Sequence, residues 1–159
     1  MDKKTENLGY KTVNETKTTM SELVLPNDTN LLGNLLGGRL MHWIDIVGAL
    51  VASRHSNKTV ATVYMDNLDF RHPVRMGELV MLDAKLVWTG RTSMQVVVTV
   101  TAENLKTGCI IETNKANLTY VALDDNGKPT PIPKLKLLTD EEKRLWDEAE
   151  KRREEKLNK

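Results

Sequence analysis

The chain has 159 residues, of which 40% are hydrophobic and 28% are charged, and its formal net charge at pH 7 is +1. This length suits one domain with its own core, and a charge so close to zero gives no electrostatic basis for binding nucleic acid. The single cysteine excludes an intrachain disulfide, and one cysteine with three histidines shows no metal-ligand spacing, so we expect no metal site.

The sequence contains no segment typical of membrane insertion or export. Residues 1–22 are polar and mixed in charge, unlike a signal peptide. The most apolar run, around residues 43–52, is shorter than the roughly 20 residues that span a bilayer. We therefore expect a cytoplasmic protein with no membrane partner.

The first half of the chain predicts a strand, a loop and one long helix. Residues 12–26 are rich in Thr and Val and predict a strand that ends at Pro26. Residues 27–37 carry the Asn, Asp and Gly of a loop. From Gly38 to about Arg54, apolar residues recur at helical spacing. They form the face Leu40, Ile44, Val47 and Val51, and further apolar residues occupy most of the remaining circumference, namely Met41, Trp43, Leu50 and Ala52. This helix should be largely buried.

The second half predicts strands, followed by a charged helix. Four strands are expected, at 59–70, 78–89, 93–104 and 109–123, with turns at 104–108 (NLKTG) and 124–129 (DDNGKP). Thr139, followed three residues later by Glu142, forms a capping box that predicts the start of a mostly solvated helix. We expect that helix to lie on the body of the protein or on a neighbouring subunit.

These elements predict an α+β fold, because no helices alternate with the later strands. A helix that is apolar on nearly every side needs a cover, and a curved antiparallel sheet can provide it. The domain boundaries we predict are a flexible N-terminus at 1–11, one domain at 12–133 and a charged helical tail at 134–159.

A candidate site lies where the loop meets the helix. The sequence GNLLGG places the backbone N–H groups of Gly37, Gly38 and Arg39 at the positive end of the helix dipole, where they can hold a phosphate or polarise a carbonyl. Asp45 is a lone carboxylate among apolar neighbours, which suits a general base. The alternatives are a flexible connection at the glycines, and an aspartate that faces solvent or pairs with an arginine.

Four segments resemble the acyl-CoA thioesterase (acyl-CoA hydrolase) family, which has the hotdog fold. They are LPNDTNLLGNLLGGRLMHWID, TVYMDNLDFRHPVRMGELV, VWTGRTSMQVVVTV and NLTYVALDDNGKP, and the resemblance covers roughly residues 18–133. It implies one long helix wrapped by a curved antiparallel sheet, and a homodimer or a trimer of dimers with active sites at the dimer interface.

The resemblance also implies roles for particular residues. Asp45 matches the family's catalytic base or nucleophile, and Asn34 matches the residue that faces it from the other subunit and orients water or the thioester. The amides of Gly37 and Gly38 would stabilise the oxyanion. Coenzyme A would lie with its phosphates near a turn and a further cation, namely Arg91, Thr92, Ser93 and Arg71. The acyl chain would lie beside the long helix and strand 59–70, and no cofactor is implied.

Two other functions stay open from the sequence. A hotdog hydratase or dehydratase acting on acyl thioesters would use a histidine with an acid, and His42 lies one helical turn before Asp45. A non-catalytic acyl-CoA-binding module would keep the fold without the chemistry.

Overall fold

A five-stranded antiparallel sheet wraps around one long helix in the computed structural model, which describes residues 8–66 and 68–158. The sheet has the strand order β2-β4-β5-β6-β3, and every neighbouring pair in it is antiparallel. The elements in chain order are β1 (Tyr10–Thr12), α1 (Val13–Thr16), β2 (Thr18–Leu23), α2 (Gly37–Ser56), β3 (Thr59–Asp66), β4 (Leu79–Thr89), β5 (Ser93–Glu103), β6 (Ile110–Leu123), β7 (Lys134–Lys136) and α3 (Asp140–Leu157). The predicted α+β architecture is confirmed.

The core lies between the inner face of the sheet and α2. The predicted helical face is buried at all four of its positions, Leu40, Ile44, Val47 and Val51. The prediction that α2 is buried on most sides is wrong for this chain alone, because Met41 and Leu50 are each 42% exposed. The sheet covers one side of the helix, and the opposite side is left open.

The predicted strand at 12–26 is interrupted by a short helix. Residues 13–16 form α1, because the Glu15 carboxylate accepts hydrogen bonds from the Thr12 backbone N–H (2.5 Å) and hydroxyl (3.0 Å). These two hydrogen bonds lower the pKa of Glu15. The pair is a capping box, a local signal that the alternation of Thr and Val conceals.

The ends of the described chain pair with each other. β1 runs parallel to β7, with Tyr10 opposite Lys134, a pairing that sequence patterns do not predict. The predicted flexible start at 1–11 lies mostly outside the described residues, and its last two residues belong to β1. The strand predicted at 59–70 ends at Asp66, after which the chain leaves the sheet and brings Phe70 over the start of α2.

The C-terminal helix packs on the outer face of the sheet. Thr139 caps it as predicted, its hydroxyl oxygen accepting from the Glu142 amide at 3.1 Å. Leu145 and Ala149 are buried against Val87, Trp88 and Val97 of the sheet. Among the described residues, no helix has a stretch that is long and apolar enough to cross a membrane.

His55, near the end of α2, is fully buried. Its Nε2–H donates to the carbonyl of Pro133 at 2.7 Å, and its Nδ1 is buried with no hydrogen-bond partner among the described residues. Burial lowers the pKa of His55, although the hydrogen bond to Pro133 opposes that shift. The fold therefore holds this imidazole in its neutral form.

We predict that His55 makes stability fall with pH below about 6.5, the usual histidine pKa. In that range the unfolded chain takes up a proton that the folded chain resists, so the folded state loses stability as the pH falls. Between about pH 7.5 and 5.5, the midpoint of thermal unfolding should fall in the wild type and fall less in His55→Gln. The control is His42→Gln, which changes an exposed histidine and should keep the wild-type slope. A His55→Gln slope equal to that of the wild type would contradict this assignment.

Candidate active site

The carboxylate of Asp45 is held by two hydroxyl groups. Asp45 is half-buried on α2, and its Oδ1 accepts from Thr62 Oγ1 at 2.7 Å and from Tyr120 Oη at 3.1 Å. The Tyr120 hydroxyl also lies 2.9 Å from the backbone carbonyl of Asp45. Neither structural alternative from the sequence holds, since the carboxylate makes no ion pair with an arginine in the described chain and is not directed only at solvent. Its Oδ2 accepts no hydrogen bond from the described residues.

The start of α2 presents free backbone amides. Leu36 is the N-cap and contributes no side-chain hydrogen bond, and the first amide with an acceptor is that of Leu40, which donates to the Leu36 carbonyl at 3.1 Å. The N–H groups of Gly37, Gly38 and Arg39 therefore have no acceptor in the described part of the chain. They lie at the positive end of the helix dipole, where an oxygen that carries negative charge is stabilised.

Only one of the two glycines at this helix start is sterically required by the chain itself. Neither has a positive φ, so their backbone conformation does not require glycine. A Cβ at Gly37 would lie 3.1 Å from the ring of Phe70, whereas a Cβ at Gly38 would meet nothing within 4 Å. The chain itself therefore leaves open space beside Gly38, next to the free amides.

The loop before α2 brings two asparagines to the same place. Asn30 folds the loop, because its Oδ1 accepts from the amides of Leu32 (2.9 Å) and Asn34 (3.2 Å). Its Nδ2 has no acceptor among the described residues. The Oδ1 of Asn34 is buried and also lacks a partner there. The loop thus offers one free amide donor and one unsatisfied carbonyl.

A cleft of about 320 Å³ opens at this helix start. Its lining includes Asn30, Asn34, Gly37, Phe70 and His72. Asp45 does not line it. Among the described residues, no three or more His, Cys, Asp or Glu side chains come together in a group that could hold a metal ion.

The structure divides the predicted site residues into two groups. Asn34 and Gly37 line the cleft, and Gly38 follows Gly37 in the first turn of α2. Arg71 follows Phe70 in the chain and pairs with Asp69 at 2.8 Å. Asp45 lies outside the cleft. Its carboxylate contacts Tyr120, and Tyr120 pairs with Met94 of the neighbouring strand β5.

The turn Arg91–Ser93 lies at the same end of the sheet as Tyr120, the residue that contacts Asp45. It immediately precedes Met94, and its carbonyls are fixed by the amides of Ile132 (to Arg91, 3.1 Å) and Ala122 (to Thr92, 2.9 Å). Within one chain, Arg71 is far from this turn. Arg71 lines a pocket together with Asn114, and Asn114 pairs with Val100, which lies six residues after Met94 along β5. That separation is about 20 Å.

Sequence patterns missed Asn30, Thr62, Tyr120 and Phe70. Thr62 and Tyr120 sit within β-rich segments where a hydroxyl is an ordinary residue, and only the pairing of β3 with β6 brings them to Asp45. The single available signal was Asn30, since an asparagine before a glycine-rich helix start is a common turn residue.

The chain matches the Thioesterase superfamily model over residues 32–109, a stretch that includes the long helix and most of the sheet. Relatives extend the match over nearly the whole chain. The uncharacterized acyl-CoA thioester hydrolase YkhA of Bacillus subtilis is 39% identical, over 91% of this chain and 84% of its own length. The chain belongs to the acyl-CoA thioesterase family.

Solved structures agree with this assignment. A hexameric acyl-CoA thioesterase superposes with a TM-score of 0.89 and 40% identity, over 94% of this chain and 96% of its own. An acyl-CoA hydrolase of Staphylococcus aureus, solved with butyryl coenzyme A and coenzyme A, has a TM-score of 0.85 and 33% identity, over 94% and 91%. That hydrolase has also been solved with an aspartate, an asparagine or a threonine replaced by alanine.

We predict that Gly38→Ala leaves the fold intact and impairs ligand binding. The added methyl has open space in this chain, and alanine favours helix over glycine by up to about 1 kcal/mol, so the midpoint of thermal unfolding should stay equal or rise. If a ligand occupies that space, the affinity for coenzyme A, measured by calorimetry, should fall about tenfold or more. Lys151→Ala, which changes an exposed residue of α3, serves as the control. Unchanged affinity in Gly38→Ala would show that the open space is not the binding site.

Proposed function

We propose that this protein hydrolyses the thioester of acyl-CoA, giving a fatty acid and coenzyme A, at a site assembled from two copies of the chain. One observation carries the proposal. The Asp45 carboxylate, held by two hydroxyls, and the free amides at the start of α2 lie on the same helix but apart from each other. Each group supplies half of what thioester hydrolysis needs.

The two halves are too far apart to act within one chain. Asp45 follows Gly37 by eight residues, and a helix rises 1.5 Å per residue, so their backbones are about 12 Å apart. A thioester carbonyl held by the Gly37 and Gly38 amides needs its attacking group within about 3–3.5 Å of its carbon. Asp45 of a second copy can meet this requirement where Asp45 of the same chain cannot.

The chemistry then needs no cofactor. The amides of Gly37 and Gly38 in one copy receive the carbonyl oxygen and stabilise the negative charge that forms on it. Asp45 of the other copy removes a proton from water as it attacks the carbon, or attacks directly to give a mixed anhydride that water hydrolyses. Coenzyme A leaves as the thiol.

The Staphylococcus aureus hydrolase supports this choice of residues. The aspartate replaced there lies 15 residues after the replaced asparagine and 17 residues before the replaced threonine. Asp45 stands in the same relation to Asn30 and to Thr62 here. The spacing favours Asn30 over Asn34 as the residue that orients water or the thioester, and the free Nδ2 of Asn30 suits that role.

Coenzyme A has a candidate binding surface in each half. Arg91, Thr92 and Ser93 directly precede Met94, the residue opposite Tyr120 in the sheet, whereas Arg71 directly follows Phe70, whose ring lies against Gly37. Assembly of two copies would bring the two cationic groups to one substrate, where arginine suits phosphate.

The surfaces left open in one chain suit a homodimer or a trimer of dimers. β3 is an edge strand of the sheet, and Val63 on it is 61% exposed. The open side of α2 presents Met41 and Leu50. An unpaired edge strand beside an exposed apolar helix face is a surface that a second copy can cover.

The rival functions have less support. The hydratase or dehydratase reading requires His42 to work with Asp45, but no hydrogen bond joins them in the described chain, and His42 is exposed. A binding module without chemistry has no use for a carboxylate whose Oδ2 is left free. Hydration of an enoyl-CoA, or binding of coenzyme A without its release from acyl-CoA, would favour one of these rivals.

We predict that Asp45→Asn lowers kcat on acyl-CoA by about 10²–10⁴-fold, because an amide can neither take a proton nor form the anhydride. Coenzyme A release from acetyl-, butyryl-, octanoyl- and palmitoyl-CoA should be followed by chromatography, since the exposed Cys109 would react with thiol reagents. Asp125→Asn changes an exposed loop carboxylate and should behave as wild type. Full activity in a folded Asp45→Asn protein would refute the proposed role.

Mixing two inactive variants tests whether the site is shared between chains. Asp45→Asn and Gly38→Leu each damage one half, so a hybrid dimer has one site with both defects and one site with neither. Random mixing after joint unfolding and refolding should restore about a quarter of the wild-type activity. No restoration, with hybrids verified by mass spectrometry, would mean that each chain contains its own complete site.

A comparison of Asn30→Ala with Asn34→Ala decides between the two asparagines. We expect Asn30→Ala to lower kcat about 10²-fold, as loss of one polar stabilising contact commonly does, and Asn34→Ala to have a smaller effect on kcat. Because the Asn30 side chain also folds the loop, Asn30→Asp, which retains that acceptor, should be measured beside it. The reverse order of effects would return the role to Asn34.

A further inference from the structure

Tyr120 is the best-placed side chain to which neither the sequence pattern nor the relatives' descriptions give a role. It is fully buried on β6, and its hydroxyl contacts both the carboxylate and the backbone carbonyl of Asp45. We propose that Tyr120 is a positioning residue: it holds one oxygen of the Asp45 carboxylate and thereby fixes the plane of the group, so that the other oxygen is free to face the reacting atoms. This inference rests on the proposed thioesterase function.

The pairing of two strands explains the arrangement. Thr62 on β3 and Tyr120 on β6 lie directly opposite each other in the sheet. Their hydroxyls both reach Oδ1, at 2.7 Å and 3.1 Å. Turning the carboxylate plane away from the two hydroxyls would break both hydrogen bonds at once. The pair therefore fixes the plane of the carboxylate, and Oδ2 is left without a partner in the described chain.

The two hydroxyls are unequal supports. Thr62 is exposed on the open edge strand, whereas Tyr120 is enclosed by the core and bonded in addition to the Asp45 carbonyl. The single hydroxyl proton of Tyr120 is shared between the carbonyl and the carboxylate of Asp45, which ties the carboxylate to its own helix turn. Tyr120 therefore supplies the rigid part of the support.

Gly48 makes this contact possible. A Cβ at Gly48 would lie 2.4 Å from the Tyr120 hydroxyl oxygen and 3.1 Å from its Cζ. Glycine is unfavourable in a helix interior, and Gly48 has no positive φ to explain it. The space it leaves, one turn after Asp45, is the space that the tyrosine hydroxyl occupies.

Tyr120 retains its proton throughout. Burial is the largest cause that raises the pKa of its phenol, and the charge of Asp45 and their hydrogen bond raise it further. The hydroxyl is therefore a permanent donor to Asp45 and does not act as a base itself.

Tyr120→Phe removes the hydroxyl and keeps the ring that fills the core. We expect kcat on a preferred acyl-CoA to fall about 10- to 100-fold, since a small displacement of a reacting group can cost that much, while KM changes less than about twofold. Tyr10→Phe, which removes an exposed hydroxyl on β1, should leave both values unchanged. A purely structural role would lower the amount of folded enzyme without this division between kcat and KM per folded site.

Gly48→Ala is the second variant, because it keeps the hydroxyl and displaces it. It should also lower kcat, and the loss should be smaller when Tyr120→Phe is already present. If Tyr120→Phe does not fold, Gly48→Ala alone decides, with a kcat loss at constant KM supporting the inference. An unchanged kcat in a folded Tyr120→Phe protein overturns it, as does an unchanged kcat in Gly48→Ala if that variant alone folds.

The wild type separates this inference from the proposed function. If the wild type releases no coenzyme A from any acyl-CoA on the panel, the proposed function fails and the role of Tyr120 fails with it. If the wild type is active and Tyr120→Phe matches it, only the role of Tyr120 fails.

Discussion

The pitch of one helix is the constraint on which the rest of this structure depends. α2 carries the free amides at its first turn and the carboxylate of Asp45 two turns later, and a rigid rod cannot bring two points on its own surface together. The sheet wraps the helix on one side only, which buries Val47 and Val51 and leaves the other side open. The proposal that Asp45 acts on a thioester held by a second copy follows from this helix geometry.

The environment of Asp45 explains how a carboxylate can stand in an apolar helix. Removing a charge from water is costly unless hydrogen bonds replace the lost solvent. Thr62 and Tyr120 provide two neutral donors, where an arginine would have provided a compensating charge. A neutral hydroxyl stabilises the carboxylate without the strong attraction of an ion pair, which leaves Oδ2 able to react. A carboxylate held by hydroxyl groups can thus still act as a base or a nucleophile, whereas a carboxylate held in an ion pair is better suited to a structural role.

The start of α2 shows several features that the chain alone does not explain. Three amides lack acceptors, the buried Oδ1 of Asn34 lacks a donor among the described residues, and the space beside Gly38 is open. Buried polar groups are normally hydrogen-bonded, so the unsatisfied Oδ1 of Asn34, beside helix-start amides that are free to accept a ligand, supports the proposal that this cleft is part of a binding site. Substrate and a second copy together can supply what is missing.

The sequence by itself determined the elements whose signals are local. The spacing of Leu40, Ile44 and Val47 predicted the buried face of α2, and Thr139 with Glu142 predicted the start of α3, because both patterns act within a few residues of one helix. The isolated acid and the adjacent glycines also identified Asp45 and the helix start as candidates. Only the tertiary structure decided what surrounds them. Thr62 and Tyr120 lie 17 and 75 residues from Asp45 in the chain, and the register of β3 against β6 brings them to one oxygen atom. The pairing of β1 with β7 and the open side of α2 were decided in the same way, since sheet register and surface coverage depend on contacts between distant segments that no local pattern encodes.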